Sequence, residues 1–456
     1  MNAYNTIEQK ANNIMRRHFI NTVALEGYQN QVALESISME EEQVMIDEAA
    51  GAAVEADQEL AEAERIIEVS DALEDLAIIA DGIEEASPAE TQLVEIAGDM
   101  AVAGTDVSPE EIVPAMESFR GGKIATEGIR ETAKNIWESI QRYLKQVWEK
   151  IEKFFYNILG TVPRLRKSLE ALEQKVEDTV GKKAEGNVTI SAGISNISIA
   201  YSPAKNEGDL SNCISALTDA AKWTYGSHVD SVTKRGESIA KIIGEFDPAK
   251  SAEAVTAMRD ALKAHKADKV PGSGSADNGR FPGFGTFVGA PLPGNKSIAY
   301  KWFADNGDDT SDLGSLDRYR NSRVELIDTS DKAPTGAKNE VEITPVTTNG
   351  AKKLIKEMQA LLTVLEDYKR GPKSKAITKT QKSIEDASSK ANKAMGTAKS
   401  DDEGSKAAVA PFRALLNFNA AYARWAQSPA VPLMSHSITT IKTVMVVIQK
   451  SMAAHK

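Results

Sequence analysis

The 456-residue chain has one cysteine, Cys213, and only 6% of its residues are aromatic. A single cysteine excludes a disulfide framework and any zinc or iron–sulfur site built from cysteines, so we expect Cys213 to be a small core residue. No apolar run approaches the roughly 18 residues that span a bilayer. The longest late run, Val444–Ile448, has five. The charged N-terminus does not have the pattern of a secretory signal. We therefore expect a soluble, disulfide-free, largely helical protein without a membrane partner.

The sequence also lacks the motifs of common catalytic and nucleotide-binding sites. It contains no Walker P-loop, no G-x-G-x-x-G and no G-x-S-x-G. Residues 305–309 resemble the start of a calcium loop, but Leu316 occupies the twelfth position, where an EF-hand needs a bidentate glutamate. The histidines have no metal-ligand spacing: His18, His228, His265, His436 and His455. We expect no catalytic site, no metal site and no cofactor.

Lysine is missing between Lys10 and Lys123, and this absence marks a division of charge along the chain. Residues 1–127, called here the acidic arm, hold 28 acidic and 6 basic side chains, a net charge of −22. Residues 128–456, called the body, carry a net charge of +10, although the whole chain is at −12. Such asymmetry is typical of an acidic tail attached to a body with a different partner. The body suits a polyanion once the arm is absent or displaced.

Apolar residues at spacings of three and four predict helices along most of the chain. We expect a helical acidic arm over 1–127, with a Pro- and Gly-containing linker at about 105–127. The first half of the body, 128–269, is predicted to be helical with a strand or hairpin near 187–201. Residues 270–338, rich in Gly, Pro, Asn and Asp, are predicted to be an irregular insertion with a possible short strand at 300–303. The C-terminal region, 339–456, is predicted to be helical with a strand near 341–346, so the fold class is mainly α with a minor β element.

Two parts of this pattern are more specific. An amphipathic stripe of apolar residues predicts one long helix over about 129–158, ended by Gly160 and Pro163. In the C-terminal region we expect four helices, with breaks at Gly371-Pro372, near 401–404 and at 429–432.

Basic residues are concentrated late in the body. Between Glu366 and Lys399 there are nine Lys and Arg side chains against four acidic ones, with Ser and Thr between them. This composition favours contacts to phosphate groups over the reading of bases. An ordinary solvated helix face explains it equally well. The candidate phosphate contacts are Lys369, Arg370, Lys373, Lys375, Lys379 and Lys382.

A short motif recurs in the acidic arm: a small residue, any residue, a glutamate, then Gly or Ser. A protease could bind it in extended chain, with a shallow pocket for Ala and a cationic pocket for Glu. By chance about four or five of the arm's 21 glutamates should have Ala or Ser two positions earlier, and eight do. The two later sites lie in the linker, where cleavage concentrates. The candidate sites are Ala24-Leu25-Glu26-Gly27, Ala33-Leu34-Glu35-Ser36, Ala115-Met116-Glu117-Ser118 and Ala125-Thr126-Glu127-Gly128.

With this arm, this junction and the following sequence ATEGIRETAKNIWESIQRYLKQVWEKIEKFFYNIL (125–159), the chain resembles the internal head proteins of phiKZ-like giant tailed bacteriophages. The resemblance rests on residues 1–127 and the start of the body. It implies a structural protein inside the capsid, present in the host cytoplasm before assembly. It also implies an N-terminal propeptide that the phage prohead protease removes after Ala/Ser-x-Glu. The implied partners are that protease, other capsid or inner-body proteins and, non-specifically, packaged DNA.

Two other classes of function stay open from the sequence. In the first, the chain is a helical assembly or adaptor protein whose acidic arm is a permanent partner-binding segment, which predicts no processing. In the second, an enzyme is hidden in the 270–338 insertion, which predicts a well-formed pocket there with convergent polar groups.

Overall fold

A computed structural model of the chain describes residues 145, 148–149, 161–264, 270–272, 284–303, 312–329, 340–397 and 407–456. Of the described residues, 70% are helical and 12% lie in strands, which confirms a mainly α fold with a minor β element. The acidic arm and its linker lie outside the described residues. So does the predicted helix 129–158, apart from Lys145, Trp148 and Glu149, which are helical.

Residues 161–264 contain four helices, with short β elements and turns between them. In chain order these are α1 (161–178), β1 (Val188–Ile190), a 3-10 turn (Ile194–Ile197), β2 (Ser198–Ile199), β3 (Ser202–Pro203), α2 (Glu207–Trp223), a π-helical turn (Thr224–His228), α3 (Val229–Gly244), a 3-10 turn (Pro248–Lys250) and α4 (Ser251–Ala264). Asn206 begins α2 as an N-cap, because its side chain accepts a hydrogen bond from the Asp209 amide.

The second part adds a small sheet and the C-terminal helices. The elements are β4 (Gly285–Val288), β5 (Lys296–Trp302), α5 (Asp312–Arg320), β6 (Val324–Asp328), β7 (Val341–Ile343), α6 (Thr348–Arg370), α7 (Pro372–Thr397), α8 (Val409–Leu416), α9 (Phe418–Gln427) and α10 (Ala430–Ala453). The break at Gly371-Pro372 lies where the sequence predicts it. The helix predicted between 404 and 429 is divided at Asn417 into α8 and α9, and α10 includes Pro432 in its first turn, a position that proline tolerates.

Helices α2 and α3 are continuous through the π-helical turn, because the residues that join them all have helical dihedral angles, and this long helix lies alongside α6 and α7. Between α3 and α7, the Lys373 ammonium contacts the Asp230 carboxylate at 2.5 Å, and the Lys390 ammonium donates to the Gly244 carbonyl at 2.6 Å. The two pairs are separated in sequence by 143 and 146 residues, so the helices are parallel and nearly in register. Between α2 and α6, Ser211 contacts Glu357 across 146 residues and the same parallel order holds.

The two strand segments that the sequence predicts, near 187–201 and 341–346, contribute strands that pair with each other. β1 and β7 are antiparallel, with Val188 opposite Ile343 and Ile190 opposite Val341. Both strands alternate buried, exposed and buried residues, so one face covers the core. The end of the 187–201 segment contains β2, which pairs with β3 directly after the segment.

Residues 270–338 are more regular than the composition predicts. The described part contains a three-stranded antiparallel sheet in the order β4–β5–β6, together with α5. In β5, Ser297, Ile298, Ala299 and Tyr300 are all buried, so the strand has no alternation of apolar and polar residues. The turn-forming residues on both sides make these short strands still harder to recognise from the sequence. The expected strand at 300–303 is the end of β5, and the prediction of an irregular insertion was wrong for this sheet.

Helix α10 lies at the centre of the body. Seventeen of its residues are buried, and it packs against α2, α6, β1 and the first 3-10 turn. By length and composition alone, the stretch Ala410–Ala453 could cross a membrane, but 78% of its most apolar window is buried inside the protein. That burial is the pattern of a core helix. Cys213 lies in the same core and is 1% exposed, as the sequence predicts.

Gly236 permits close packing of α3 against α7 and α9. A Cβ atom at this position would lie 2.5 Å from Thr380 Cγ2 and 2.8 Å from Tyr422 Cδ2. We therefore expect Gly236→Ala to lower the free energy of unfolding by about 1–3 kcal/mol, because side chains of two neighbouring helices must shift.

Gly244, in the same helix, provides the matched control. A Cβ atom there would lie 3.5 Å from Ala387 Cβ, an ordinary contact. Since Ala favours helix by up to about 1 kcal/mol over Gly, Gly244→Ala should leave stability unchanged or raise it slightly. Urea unfolding of both variants measures the difference. Equal effects of the two substitutions would contradict this account of the α3–α7 contact.

Candidate polyanion-binding face

Helix α7 has an apolar and a basic side. Its buried residues recur at three and four positions and face α3 and α9, which explains why the segment folds as an amphipathic helix. Five lysines lie on the opposite, exposed side. They are called here the lysine face: Lys375, Lys379, Lys382, Lys390 and Lys393.

The structure divides the six candidate phosphate contacts into two groups. Lys375, Lys379 and Lys382 are exposed on one side of α7. The others, at the α6–α7 junction, have partners within the protein. Lys373 binds the Asp230 carboxylate. The Arg370 guanidinium lies 3.9 Å from the Glu366 carboxylate. Lys369 is half-buried and also interacts with another group of the protein. Lys393 and Lys390 lie on the same side of α7 and complete the face, although the Lys390 ammonium also donates to the Gly244 carbonyl of α3.

The charge of the lysine face is largely uncompensated. Among the described residues, no carboxylate forms an ion pair with any of its five lysines, and Asp386 is the exposed acidic residue among them. By contrast, Arg166 on α1 pairs with Glu366 at 2.8 Å, and Lys352 on α6 pairs with Glu177 at 2.6 Å. The sequence contained the signal for this difference in its helical spacing, since positions 375, 379, 382 and 393 repeat on one side of a helix.

The dimensions of the lysine face match an extended polyanion. From Lys375 to Lys393 the helix advances 18 residues, which is about 27 Å at 1.5 Å per residue. Duplex DNA carries one negative charge for about every 1.7 Å of its axis, so a straight row of ammonium groups meets phosphates along its whole length. Flexible lysine side chains contact phosphates without reading sequence.

A second polar feature, which the sequence analysis missed, is a buried arginine between α3, α9 and the three-stranded sheet. Arg235 is 4% exposed, and its guanidinium carbon lies 4.4 Å from the centre of the Trp425 ring and 5.2 Å from that of Trp302. The only signal in the sequence is its position, because Arg235 falls on the apolar stripe of α3 between Val232 and Ile239.

The neighbouring cleft is small. Six side chains define what is called here the arginine cleft: Trp223, His228, Arg235, Tyr300, Arg323 and Trp425. Its accessible volume is about 10 Å³, which is space for one water molecule at most. That volume does not hold an organic substrate, so the cleft gives the hypothesis of an enzyme in 270–338 no support. In the part of the chain that is described, no group of three or more His, Cys, Asp or Glu residues could hold a metal ion.

All candidate cleavage residues lie outside the described residues. These are Glu26, Gly27, Glu35, Ser36, Glu117, Ser118, Glu127 and Gly128. The proposed processing sites therefore stay predictions from the sequence.

Comparison with known proteins identifies the family. No curated protein and no solved structure matches the chain. The model of a family described as phiKZ-like phage internal head proteins matches residues 39–450, which include most of the acidic arm and nearly all of the body. Proteins of this family are structural components inside the capsid, in association with other capsid components. The chain belongs to the phiKZ-like phage internal head proteins.

Proposed function

We propose that the chain is made as a precursor whose acidic arm is removed by the phage prohead protease, and that the body then binds packaged DNA non-specifically. The proposal of DNA binding rests on the lysine face of α7, whose lysines form no ion pairs with carboxylates among the described residues. An internal head protein shares the capsid with DNA at high density, so an exposed row of ammonium groups meets phosphates there. Each phosphate contact releases counterions, which favours association and makes it salt-dependent.

The acidic arm supports the processing half of the proposal. The family match begins at residue 39, so most of the arm belongs to the sequence that defines the family. Of the four candidate junctions, those at Glu117-Ser118 and Glu127-Gly128 lie within the match, whereas Glu26-Gly27 and Glu35-Ser36 precede it. Cleavage after Glu127 would convert a chain of net charge −12 into a body of net charge +10. A protein that repels DNA during assembly would then attract it.

The described surface of the body also favours a charged partner. Among the described residues, Val180 and Leu313 are the large apolar side chains that are exposed, and two separate side chains do not form an apolar docking patch. Association through this surface is therefore expected to depend on charge and hydrogen bonds.

Removal of three charges from the lysine face should weaken DNA binding and its salt dependence. For the body freed of its arm, we expect Lys375→Gln, Lys379→Gln and Lys382→Gln together to reduce the slope of log K against log salt by about 2–3, since each lost phosphate contact contributes about 0.9. Fluorescence anisotropy with a duplex of random sequence, between about 50 and 300 mM salt, measures that slope.

A matched control removes the same charge elsewhere. Lys167, Lys222 and Lys250 are exposed on α1, α2 and the second 3-10 turn, so none of them belongs to α7. Their triple substitution by Gln also lowers the net charge by three but should change the slope by less than about 1. If the two triple variants give the same slope, binding depends on net charge and the lysine face is not the site.

A further inference from the structure

The body contains copies of the same short motif that marks the candidate cleavage sites of the arm. Ala or Ser stands two positions before a glutamate at four places in residues 128–456, against eight in the arm. None of the four is followed by Gly or Ser. They are called here the body motifs, and all of them lie within the described residues: Ser168-Leu169-Glu170, Ala171-Leu172-Glu173, Ser251-Ala252-Glu253 and Ser383-Ile384-Glu385.

Every body motif is helical. Glu170 and Glu173 belong to α1, Glu253 to the first turn of α4 and Glu385 to α7. In an extended chain, residues i and i+2 project to the same side, so one protease surface contacts the small residue and the glutamate together. In a helix of 3.6 residues per turn, the same two residues point about 160° apart. A helical motif therefore does not fit a site that binds the extended motif.

In three of the body motifs the middle residue is part of the core. Leu169 and Ile384 are fully buried, and Leu172 is 2% exposed. The Glu385 carboxylate also accepts a hydrogen bond from the Gln381 amide nitrogen at 3.0 Å. Extension of the chain at any of these three motifs would expose a leucine or isoleucine to water. These motifs therefore become extended only when the core opens.

The motif at Glu253 is held less firmly. Ala252 and Glu253 are both exposed, and no residue of the preceding 3-10 turn, Pro248–Lys250, is buried. The amides of a first helical turn have no acceptors within their helix, so this turn opens more easily than a helix interior. Val255, which is 3% exposed, is the first core residue after the motif.

We propose that the fold protects the body motifs from the maturation protease, and that the bond after Glu253 is the first of them to become cleavable when the body is destabilised. This inference rests on the proposed processing and deepens it, because it explains how one protease removes the arm and leaves the body intact. It follows that the body folds before the protease acts. An unfolded body would be cut at the same motif as the arm.

A glutamate-specific endoprotease tests this protection without the phage enzyme. The full-length chain is digested in native buffer, and mass spectrometry gives the initial rate at which each new N-terminus appears. Synthetic 14-residue peptides that span the same bonds give the rates outside the fold. We expect cutting in the chain to be slower than in the peptide by at least about 1,000-fold at Glu170, Glu173 and Glu385, because a core opens in fewer than about one molecule in 1,000. At Glu253 we expect about 10- to 100-fold.

A destabilised variant tests whether opening of the core limits the cutting. Gly236→Ala should accelerate cutting at Glu170 and Glu385 by one common factor of about ten, and the control Gly244→Ala should leave both rates unchanged. If Gly236→Ala fails to fold, about 1–2 M urea replaces it and should accelerate cutting at Glu385 more steeply than at Glu253.

Two results would overturn the proposal. The first is cutting at Glu170 or Glu385 within about tenfold of the peptide rate, and the second is protection of Glu253 as strong as that of Glu385. The same digests report on Glu117 and Glu127 in the arm. Strong protection of those two bonds would contradict the proposed processing, whereas the protection of the body is measured separately at its own four bonds.

Discussion

Removal of the acidic arm is expected to raise the affinity of this protein for duplex DNA by about two orders of magnitude at about 0.1 M salt. The change replaces a chain of net charge −12 by a body of net charge +10. In the full-length chain, we expect the 28 acidic side chains of the arm to repel phosphates and to compete with them for the lysine face. At this salt the Debye length is about 10 Å, so charges on one chain still act on one another.

The comparison is best made on one preparation. A recognition sequence for a site-specific protease inserted between Glu127 and Gly128 lets the folded chain be tested before and after cutting. At about 1 M salt, where the Debye length is about 3 Å, both forms should bind weakly and equally. An uncut chain that binds DNA at 0.1 M salt as tightly as the freed body would contradict the proposed role of the arm.

Acid should destabilise the body well above the pH at which most carboxylates titrate, because two histidines are buried as neutral rings. Burial lowers the pKa of both His228 and His436 from 6.5 to about 4. Hydrogen bonds to the Ser428 and Pro293 carbonyls oppose this lowering, whereas the nearby Arg235 and Lys296 add to it. The unfolded chain then binds protons that the folded chain does not, so stability is complete above pH 6.5 and falls as the pH falls towards 4. By pH 5 we expect a loss of about 2 kcal/mol for each histidine.

Urea unfolding between pH 7.5 and pH 5 measures this loss. The variants His228→Gln and His436→Gln each remove one titrating group. In each variant, the difference in the free energy of unfolding between pH 7.5 and pH 5 should fall by about half. At pH 7.5 both rings are neutral, so the free energy of unfolding of each variant shows how much the substitution itself destabilises the protein. A wild-type protein with equal stability at pH 7.5 and pH 5 would show that the two rings are not held neutral.

The helical part of the fold could be predicted because helices leave a local signal. Gly371-Pro372 separates α6 from α7, and the stripe containing Ile377 and Ile384 predicts the buried side of α7. The β segments near 187–201 and 341–346 were also detectable, from β-branched residues. Their pairing, between Val188 and Ile343, joins positions 155 residues apart, and no local pattern contains it. The parallel packing of α2 on α6 and of α3 on α7 is a long-range property of the same kind.

In the candidate sites, too, contacts between distant parts of the chain could not be predicted from the sequence. Exposed lysines on one side of α7 follow from helical spacing, but the sequence did not show that Lys373 binds Asp230 on another helix. Arg235 was missed because the aromatic side chains around it come from three separate parts of the chain. The strand β5 was largely missed because a strand buried on both faces has no alternation.

The most direct test of the account is the intact mass of this protein from mature phage particles, together with the sequence of its N-terminal peptide. The account predicts a chain that begins at Gly128 or Ser118 and lacks the acidic arm. A full-length chain that begins at residue 1 or 2 would contradict it. The acidic arm would then be a permanent segment of an assembly protein within the head.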